Sequence, residues 1–163
     1  MDLLTQGFIA GVAAQSVRAK RVPVENLKKL SWTAFFAGFL PDADLFIYSE
    51  ARPVTTYLYH RHFSHSLFFV PFGALLIALL FYYLFKKSVN LKELYIFSFL
   101  GILTHGLLDC NTSYGTQLFW PFSSIRISWD AVALIDLFYS VPLVLAFYFG
   151  LKGQRFIIRY FFG

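Results

Sequence analysis

Long apolar stretches, separated by short polar segments, run along most of the chain. The clearest extends from Leu67 to Phe85, 19 residues without a charged side chain. A helix needs about 20 such residues to cross the hydrocarbon core of a bilayer. Two further stretches run from Leu94 to Leu108 and from Val132 to Leu151. This pattern predicts membrane-spanning α-helices.

The N-terminal part contains two shorter apolar stretches. Leu3 to Val17 is rich in small residues and holds two glycines four positions apart, a spacing that permits close helix packing. Leu30 to Tyr48 is interrupted by Pro41, and because the residue before a proline is biased away from helix, we expect this helix to end near Leu40. The sequence therefore predicts one all-α domain over 1–163, a polytopic transmembrane bundle of four to five spans with a re-entrant or short N-terminal helix.

The composition agrees with a membrane location, because 58% of the residues are hydrophobic and only 14% are charged, against about a quarter in soluble domains. The net charge of +5 first suggests an anionic partner. However, 11 of the 14 Lys and Arg residues fall in segments that alternating spans would place on one side, which the positive-inside rule assigns to the cytoplasm. We therefore expect a multi-pass protein of the inner (cytoplasmic) membrane, with no nucleic-acid partner. The acidic N-terminus lacks a basic region, so we expect no cleaved signal peptide.

The histidines and most acidic residues lie on the opposite, extracytoplasmic side. They fall in the outer loops or in the outward halves of the spans, and they are His60, His62, His65, His105, Asp42, Asp44, Glu50, Asp109, Asp130 and Asp136. The positive-inside rule concerns only Lys and Arg, so this grouping is independent of it. The pattern predicts one cluster of chemically active side chains outside the cytoplasm.

His105 and Asp109 are the most informative pair, because their i, i+4 spacing places them on one helix face. This geometry suits two ligands of one divalent metal, although Asp109 could also cap the helix or pair with an arginine. Asp42 and Asp44 follow Pro41 at the outer end of a span. They are either acids at the membrane interface or carboxylates that need a cation, whether a metal or Arg61.

The segment from His60 to Ser66 holds three histidines directly before the clearest span. His65 can open that helix while Ser64 caps it, and imidazole together with carboxylate suits zinc or a similar metal. A solvated histidine cluster is the alternative, with His62 as the bystander. Asp136, a few residues into the last span, requires either a metal or Arg126 as its partner.

These stretches resemble the family of bacterial membrane-bound metal-dependent hydrolases, related to the LexA-regulated, inner-membrane-associated hydrolases. The matching stretches, in order, are Met1–Gln6, Leu40–Asp44, His60–Arg61, Ser64–Ser66, Thr104–Asp109, Tyr114–Phe122 and Ile135–Asp136. Ser64 stands where relatives commonly have threonine, and Leu137 where many have proline. The chain is more distantly similar to zinc-dependent phospholipase C and single-strand nucleases, which bind zinc through His and Asp on helices. The resemblance implies a membrane-embedded hydrolase with a divalent metal.

Under this hypothesis the metal ligands are Asp42, Asp44, His65, His105, Asp109 and Asp136, for one or more ions. Zinc is the expected metal, with manganese or magnesium as alternatives. His60 would be a further ligand or a general acid/base, and Arg61 would neutralise an anionic substrate oxygen. A phosphoester or lipid-linked substrate fits a site at the bilayer surface. We expect the loop from Tyr114 to Phe122 to border an outward cavity above the metal.

Two other classes of protein remain open. A metal- or proton-coupled transporter would need polar groups through the full membrane depth, and the inner halves of the spans are apolar, as in Leu75 to Phe85 and Leu143 to Phe149. A non-catalytic scaffold would use the metal only to tie helix ends together. The sequence does not separate this scaffold from an enzyme.

Overall fold

The computed structural model describes residues 2–18, 22–46, 60–131 and 137–152, and the regular structure in these ranges is helical. Five α-helices and two 3-10 segments follow one another within the described residues. They are α1 (Leu3–Arg18), α2 (Val24–Ala37), the 3-10 segments Pro41–Phe46 and Phe63–His65, α3 (Val70–Leu84), α4 (Leu91–Asp109) and α5 (Leu137–Leu151). The only β-contact in the described part of the chain is an isolated bridge between Thr116 and Ile127.

Helix length decides how much of the predicted topology the structure supports. With 19 residues, α4 is the one described helix that is long and apolar enough to cross a membrane. Helices α1, α3 and α5 are apolar but have only 16, 15 and 15 residues. An all-helical fold is therefore confirmed, whereas the bundle of four to five spans stays a prediction.

Helix α3 begins at Val70, three residues after the apolar stretch begins at Leu67. We expected Ser64 to cap a helix opened by His65, but these residues form a 3-10 turn, and that prediction is wrong. The side chain of Ser66 accepts a hydrogen bond from the backbone N–H of Phe69 at 3.2 Å. This bond holds the chain in a turn ahead of α3, and Pro71 lies at the start of the helix, where a proline is tolerated.

Helix α4 lies at the centre of the bundle and packs against α1, α2 and α3. Leu30 and Ala34 of α2 share a buried apolar cluster with Leu94 and Phe97 of α4. The close approach depends on Gly101, because a Cβ atom at this position would lie 2.5 Å from the backbone oxygen of Ala34. The tight α2–α4 contact fixes the C-terminal turns of α4, which carry the candidate site.

The two ends of the bundle differ in charge. Basic side chains gather where α2 and α4 begin, and there Lys29 donates a hydrogen bond to Ser88. The histidines and aspartates gather at the other end, where α2 and α4 finish and α3 begins. This separation agrees with the basic asymmetry in the sequence. Which end faces the cytoplasm stays a prediction.

Candidate metal centre

Four side chains from three segments of the chain converge at the acidic end of the bundle. Asp42 lies on the 3-10 segment after α2, His65 on the 3-10 segment before α3, and His105 and Asp109 on the last turns of α4. One nitrogen or oxygen atom from each lies within 4.8 Å of the corresponding atom of the others. Three of the four residues are buried, and the side chain of Asp42 is 14% exposed.

The sequence accounts for this convergence in two steps. The i, i+4 spacing of His105 and Asp109 on α4 places His105 Nε2 3.3 Å from Asp109 Oδ2. Gly106 lies between them, and a Cβ atom there would lie 2.7 Å from the backbone oxygen of His65. The missing side chain at Gly106 therefore lets the His65 segment pack directly on α4.

The spacing of the four atoms fits a small cation. His65 Nε2 and His105 Nε2 are 3.0 Å apart. Asp42 Oδ1 is 3.3 Å from the first and 3.4 Å from the second, and Asp109 Oδ2 is 3.3 Å from both. Ligands about 2.0–2.1 Å from a tetrahedral metal are about 3.3–3.4 Å from one another. The four His–Asp distances match this edge length, and the His65–His105 distance of 3.0 Å is shorter.

Both histidines present the nitrogen that a metal needs. His105 Nδ1 lies 2.5 Å from the carbonyl oxygen of Gly38, and because a carbonyl only accepts, Nδ1 carries the proton. His65 Nδ1 faces Ser64 Oγ at 3.0 Å and Asp44 Oδ2 at 3.4 Å. In both rings Nδ1 is held by a neighbouring polar group, and Nε2 faces the other ligand atoms, where it would bind a metal once deprotonated. Metal-binding histidines commonly have this arrangement.

Asp44 lies behind His65 rather than beside the four converging atoms. Its carboxylate accepts hydrogen bonds from Ser64 Oγ at 2.7 Å and from the Arg61 backbone N–H at 3.2 Å, and it lies 2.9 Å from His60 Nδ1. This position orients the imidazole of His65. Asp44, His60 and His65 also form a second group with metal-ligand spacing. The prediction of Asp44 as a direct ligand is untested.

Arg61 is buried beside Asp109 and lies close to the same carboxylate oxygen that faces the two histidines. Its Nε lies 3.2 Å from Asp109 Oδ2, and its guanidinium donates to Thr112 Oγ1 at 2.5 Å. The ring of Tyr114 lies 5.4 Å from the guanidinium carbon. Arg61 therefore offsets the charge of Asp109, one of the alternatives left open by the sequence. Its predicted contact with a substrate oxygen stays a prediction.

Gln6 belongs to the same cluster, although the sequence analysis assigned it no role. Its side-chain N–H donates to Asp109 Oδ1 at 2.7 Å, and the residue is 1% exposed. A glutamine within an apolar helix requires a polar partner, and this signal could have identified it. Gln6 fixes one oxygen of Asp109 while the other faces the two histidines.

The charges at the edge of the site are mutually stabilised. Burial alone would raise the pKa values of Asp42 and Asp44, but hydrogen bonds with histidines hold both below their usual range. Burial would lower the pKa of His65, but hydrogen bonds with Asp109, Asp42 and Asp44 outweigh it and raise that pKa to about 10. The carboxylates and His65 therefore stabilise one another's charged forms.

His62 lies outside the two groups of residues with metal-ligand spacing, in agreement with its predicted role as a bystander. The ring of His62 packs on Trp120, with 5.2 Å between centroids, and His62 is not among the grouped ligands. Asp136 lies outside the described residues, so its predicted role is untested.

The predicted cavity bordered by the loop from Tyr114 to Phe122 stays a prediction, and a cavity that borders Asp42 lies on another side of the site. Tyr114 lies over Arg61 and Arg126. In the described part of the chain, a cavity of about 580 Å³ reaches Asp42 from the side of α1, α2 and α3, and the loop from Tyr114 to Phe122 does not line it.

Comparison with known proteins identifies the family to which the chain is similar. The family described as "YdjM inner membrane protein" matches residues 1–162. The chain is also similar to a Bacillus subtilis (strain 168) protein described as "Uncharacterized protein YfhP", with 34% identity over 79 residues. That alignment covers 48% of this chain and 23% of the relative. No solved structure matches the chain. The resemblance to the LexA-regulated inner-membrane family is confirmed, whereas the hydrolase activity stays a prediction.

Proposed function

Starting from the fact that the chain belongs to the YdjM inner membrane protein family, we propose that it is a membrane-bound, metal-dependent hydrolase with an extracytoplasmic active site. The observation that carries the proposal is the convergence of His65 Nε2, His105 Nε2, Asp42 Oδ1 and Asp109 Oδ2 at metal-ligand spacing. The basic asymmetry of the sequence supports the extracytoplasmic location.

The donor set favours zinc. Two imidazole nitrogens and two carboxylate oxygens suit zinc and other first-row divalent metals. Magnesium prefers an all-oxygen, octahedral environment, which a site with two histidines does not offer. Manganese is the alternative that metal analysis has to separate from zinc.

A divalent cation held by these four residues would supply Lewis-acid chemistry, a more acidic water molecule and a polarised phosphoryl group. The protein contributes the surrounding proton chemistry. His60 has its Nδ1 hydrogen-bonded to Asp44, and its side chain is 18% exposed, so its free nitrogen is available as a general acid/base. In the hydrolysis, the water oxygen bonds to phosphorus, the bond to the ester oxygen breaks, and the departing alcohol takes a proton.

Asp42 marks the open side of the site. It is the one of the four residues with an exposed side-chain fraction, and it also borders the cavity. A catalytic metal needs a position that water or substrate can reach. The side chain of Asp42 and the adjoining cavity provide that approach.

A non-catalytic role has one observation in its favour. Four protein ligands complete a tetrahedral set, and structural metal sites are closed in this way. Such a metal would tie α4 to the two 3-10 segments. A catalytic metal would exchange bound water and anions with the solvent, whereas a structural metal would not.

Metal analysis followed by turnover tests the proposal. The protein in lipid nanodiscs should contain about one zinc per chain and hydrolyse methyl 4-nitrophenyl phosphate. Chelation should abolish the activity and added zinc should restore it. Stoichiometric zinc without hydrolysis of any phosphoester tested would favour the structural role, and a metal-free, folded protein would overturn the metal site.

A further inference from the structure

An apolar groove leads from the surface of the bundle to Asp42. Its lining residues are Leu3, Phe36, Phe39, Leu40, Asp42, Ala43, Leu45, Phe46 and Ile77, and we call it the Asp42 groove. Its volume of about 580 Å³ lies within the ~300–1,000 Å³ typical of pockets for small molecules. The rims are accessible, since Leu45 is 47% exposed and Phe46 is 89% exposed.

The groove and the candidate metal centre share a residue. Asp42 contributes one of the converging oxygens, 3.3 Å from His65 Nε2, and it is also the one charged residue that lines the groove. A molecule lying in the groove would thus have an apolar part along α1, α2 and α3 and its end at the ligand cluster. An apolar groove that ends at a polar group matches the structure of a lipid, which has an apolar chain and a polar headgroup.

A second cavity shows what an ordinary apolar depression at this end of the bundle looks like. It measures about 370 Å³ and lies between α1 and α5, where Asp2, Thr5 and Ser140 are its polar residues. Asp2 caps α1 by accepting from the Thr5 backbone N–H, and Thr5 is hydrogen-bonded to Ser140. None of the four metal-ligand residues lines this cavity, so it serves as the control for the Asp42 groove.

We propose that the Asp42 groove holds a hydrocarbon chain of a lipid phosphoester and presents its phosphate to the metal centre. The occupant is a membrane lipid, because the groove is apolar, opens at the surface of a membrane protein and ends at a site suited to an anionic oxygen. This inference rests on the proposed hydrolase function and names its substrate class.

The groove acts by orientation more than by affinity. A chain that moves from the bilayer into the groove stays in apolar surroundings, so it gains little from the hydrophobic effect. Fixing the chain does place the phosphate, and misplacement of a substrate by about 1 Å can cost on the order of 100-fold in rate. Blocking the groove should therefore reduce turnover of lipid substrates, while metal binding is kept.

Two phosphodiesters with the same leaving group test the groove. Hexadecyl 4-nitrophenyl phosphate requires the groove, whereas methyl 4-nitrophenyl phosphate does not. Leu45→Trp fills the groove, and Leu145→Trp, also about half exposed, fills the control cavity. We expect Leu45→Trp to lower hexadecyl ester turnover about ten-fold or more, with methyl ester turnover and zinc content unchanged. Leu145→Trp should change neither turnover.

Equal loss of both activities in Leu45→Trp, or no loss of either, would overturn the groove proposal. If Leu45→Trp does not fold, Ala43→Trp provides the same test, because Ala43 is exposed in the groove. The hydrolase function would remain intact in each of these outcomes, provided that the wild type cleaves the methyl ester.

A binding measurement keeps the groove testable if no ester is cleaved. Hexadecylphosphonate with a diazirine near the chain end should label the groove in zinc-loaded protein, and excess unlabelled hexadecylphosphonate should remove the label. Labelling that is not saturable, as for any lipid-facing surface, would overturn the proposal. A protein–protein cross-link from a photoreactive residue at Leu45 would show another occupant and also overturn it.

Discussion

Two glutamines on α1 show how differently the two ends of the bundle use buried polar side chains. Gln6 donates to the carboxylate of Asp109 at 2.7 Å. Gln15, at the other end, donates to the hydroxyl of Ser31 at 3.0 Å and to the backbone oxygen of Phe147 at 3.4 Å. Both residues are buried. Gln15 joins neutral groups and ties three helices together, whereas Gln6 orients a charge that faces two histidines.

The comparison of Gln6 with Gln15 distinguishes buried polar groups that stabilise helix packing from those that position a functional residue. A buried amide is stabilised wherever it finds a partner, so burial alone does not mark function. At the acidic end, several charged and titratable groups direct their atoms at one point. At the basic end no such group is found among the described residues.

The largest effect is expected from removing two ligands together. His105→Ala with Asp109→Ala should remove most of the metal, because half of the converging atoms are lost. Metal content of the purified protein is the measurement, with circular dichroism to show that the protein is folded. The control is Gln15→Ala with Ser31→Ala at the opposite end, which should keep its metal. Unchanged metal in the folded His105/Asp109 variant would rule out this site.

The next effect concerns the residue behind His65. Asp44→Asn should weaken metal affinity about 10–100-fold, as the loss of an orienting partner commonly does. Competition with a coloured zinc chelator measures this. A loss of metal as complete as in the double variant would instead make Asp44 a direct ligand.

The two glutamines provide a direct test of the comparison. Gln6→Leu should lower metal affinity about ten-fold or more, because Asp109 loses the donor that orients it. Gln15→Leu should leave metal affinity unchanged and lower the stability of the bundle by about 1 kcal/mol. Chelator competition and thermal unfolding separate the two effects. If Gln6→Leu and Gln15→Leu change metal affinity equally, the two glutamines have the same role and the comparison fails.

The smallest effects are expected from added methyl groups. Gly106→Ala brings a Cβ against the rigid backbone of His65 and should cost about 1–3 kcal/mol of stability together with some metal affinity. Gly150→Ala meets the buried side-chain amide of Gln15, so it should lower stability by displacing that amide and leave metal affinity unchanged. Thermal unfolding with and without zinc measures both. A larger loss of metal affinity in Gly150→Ala would contradict the proposed packing.

The parts of the site that sequence predicts best are those fixed by local geometry. The i, i+4 spacing of His105 and Asp109 needs only a helix, and the structure has them 3.3 Å apart. Other parts of the site depend on how the helices α1, α2 and α4 pack. They are the contact of the Gly38 carbonyl, the hydrogen bond from Gln6 and the position of the Asp42 groove. These contacts join residues that are far apart in the sequence, so the spacing of neighbouring residues does not predict them. The start of α3 was also not predicted correctly from the sequence. Two serines precede this helix, and Ser66 rather than Ser64 accepts the hydrogen bond that holds the turn before it.

The hydrogen bond from His105 to Gly38 has a consequence for biogenesis. It joins the last turn of α4 to the end of α2, and His65 reaches the same point from a third segment. During synthesis, the four ligands meet only after residue 109 has left the ribosome and the preceding helices have docked. Under the proposed function, metal capture would therefore be a late event that requires a correctly assembled chain, and the bound metal would then stabilise that state by mass action.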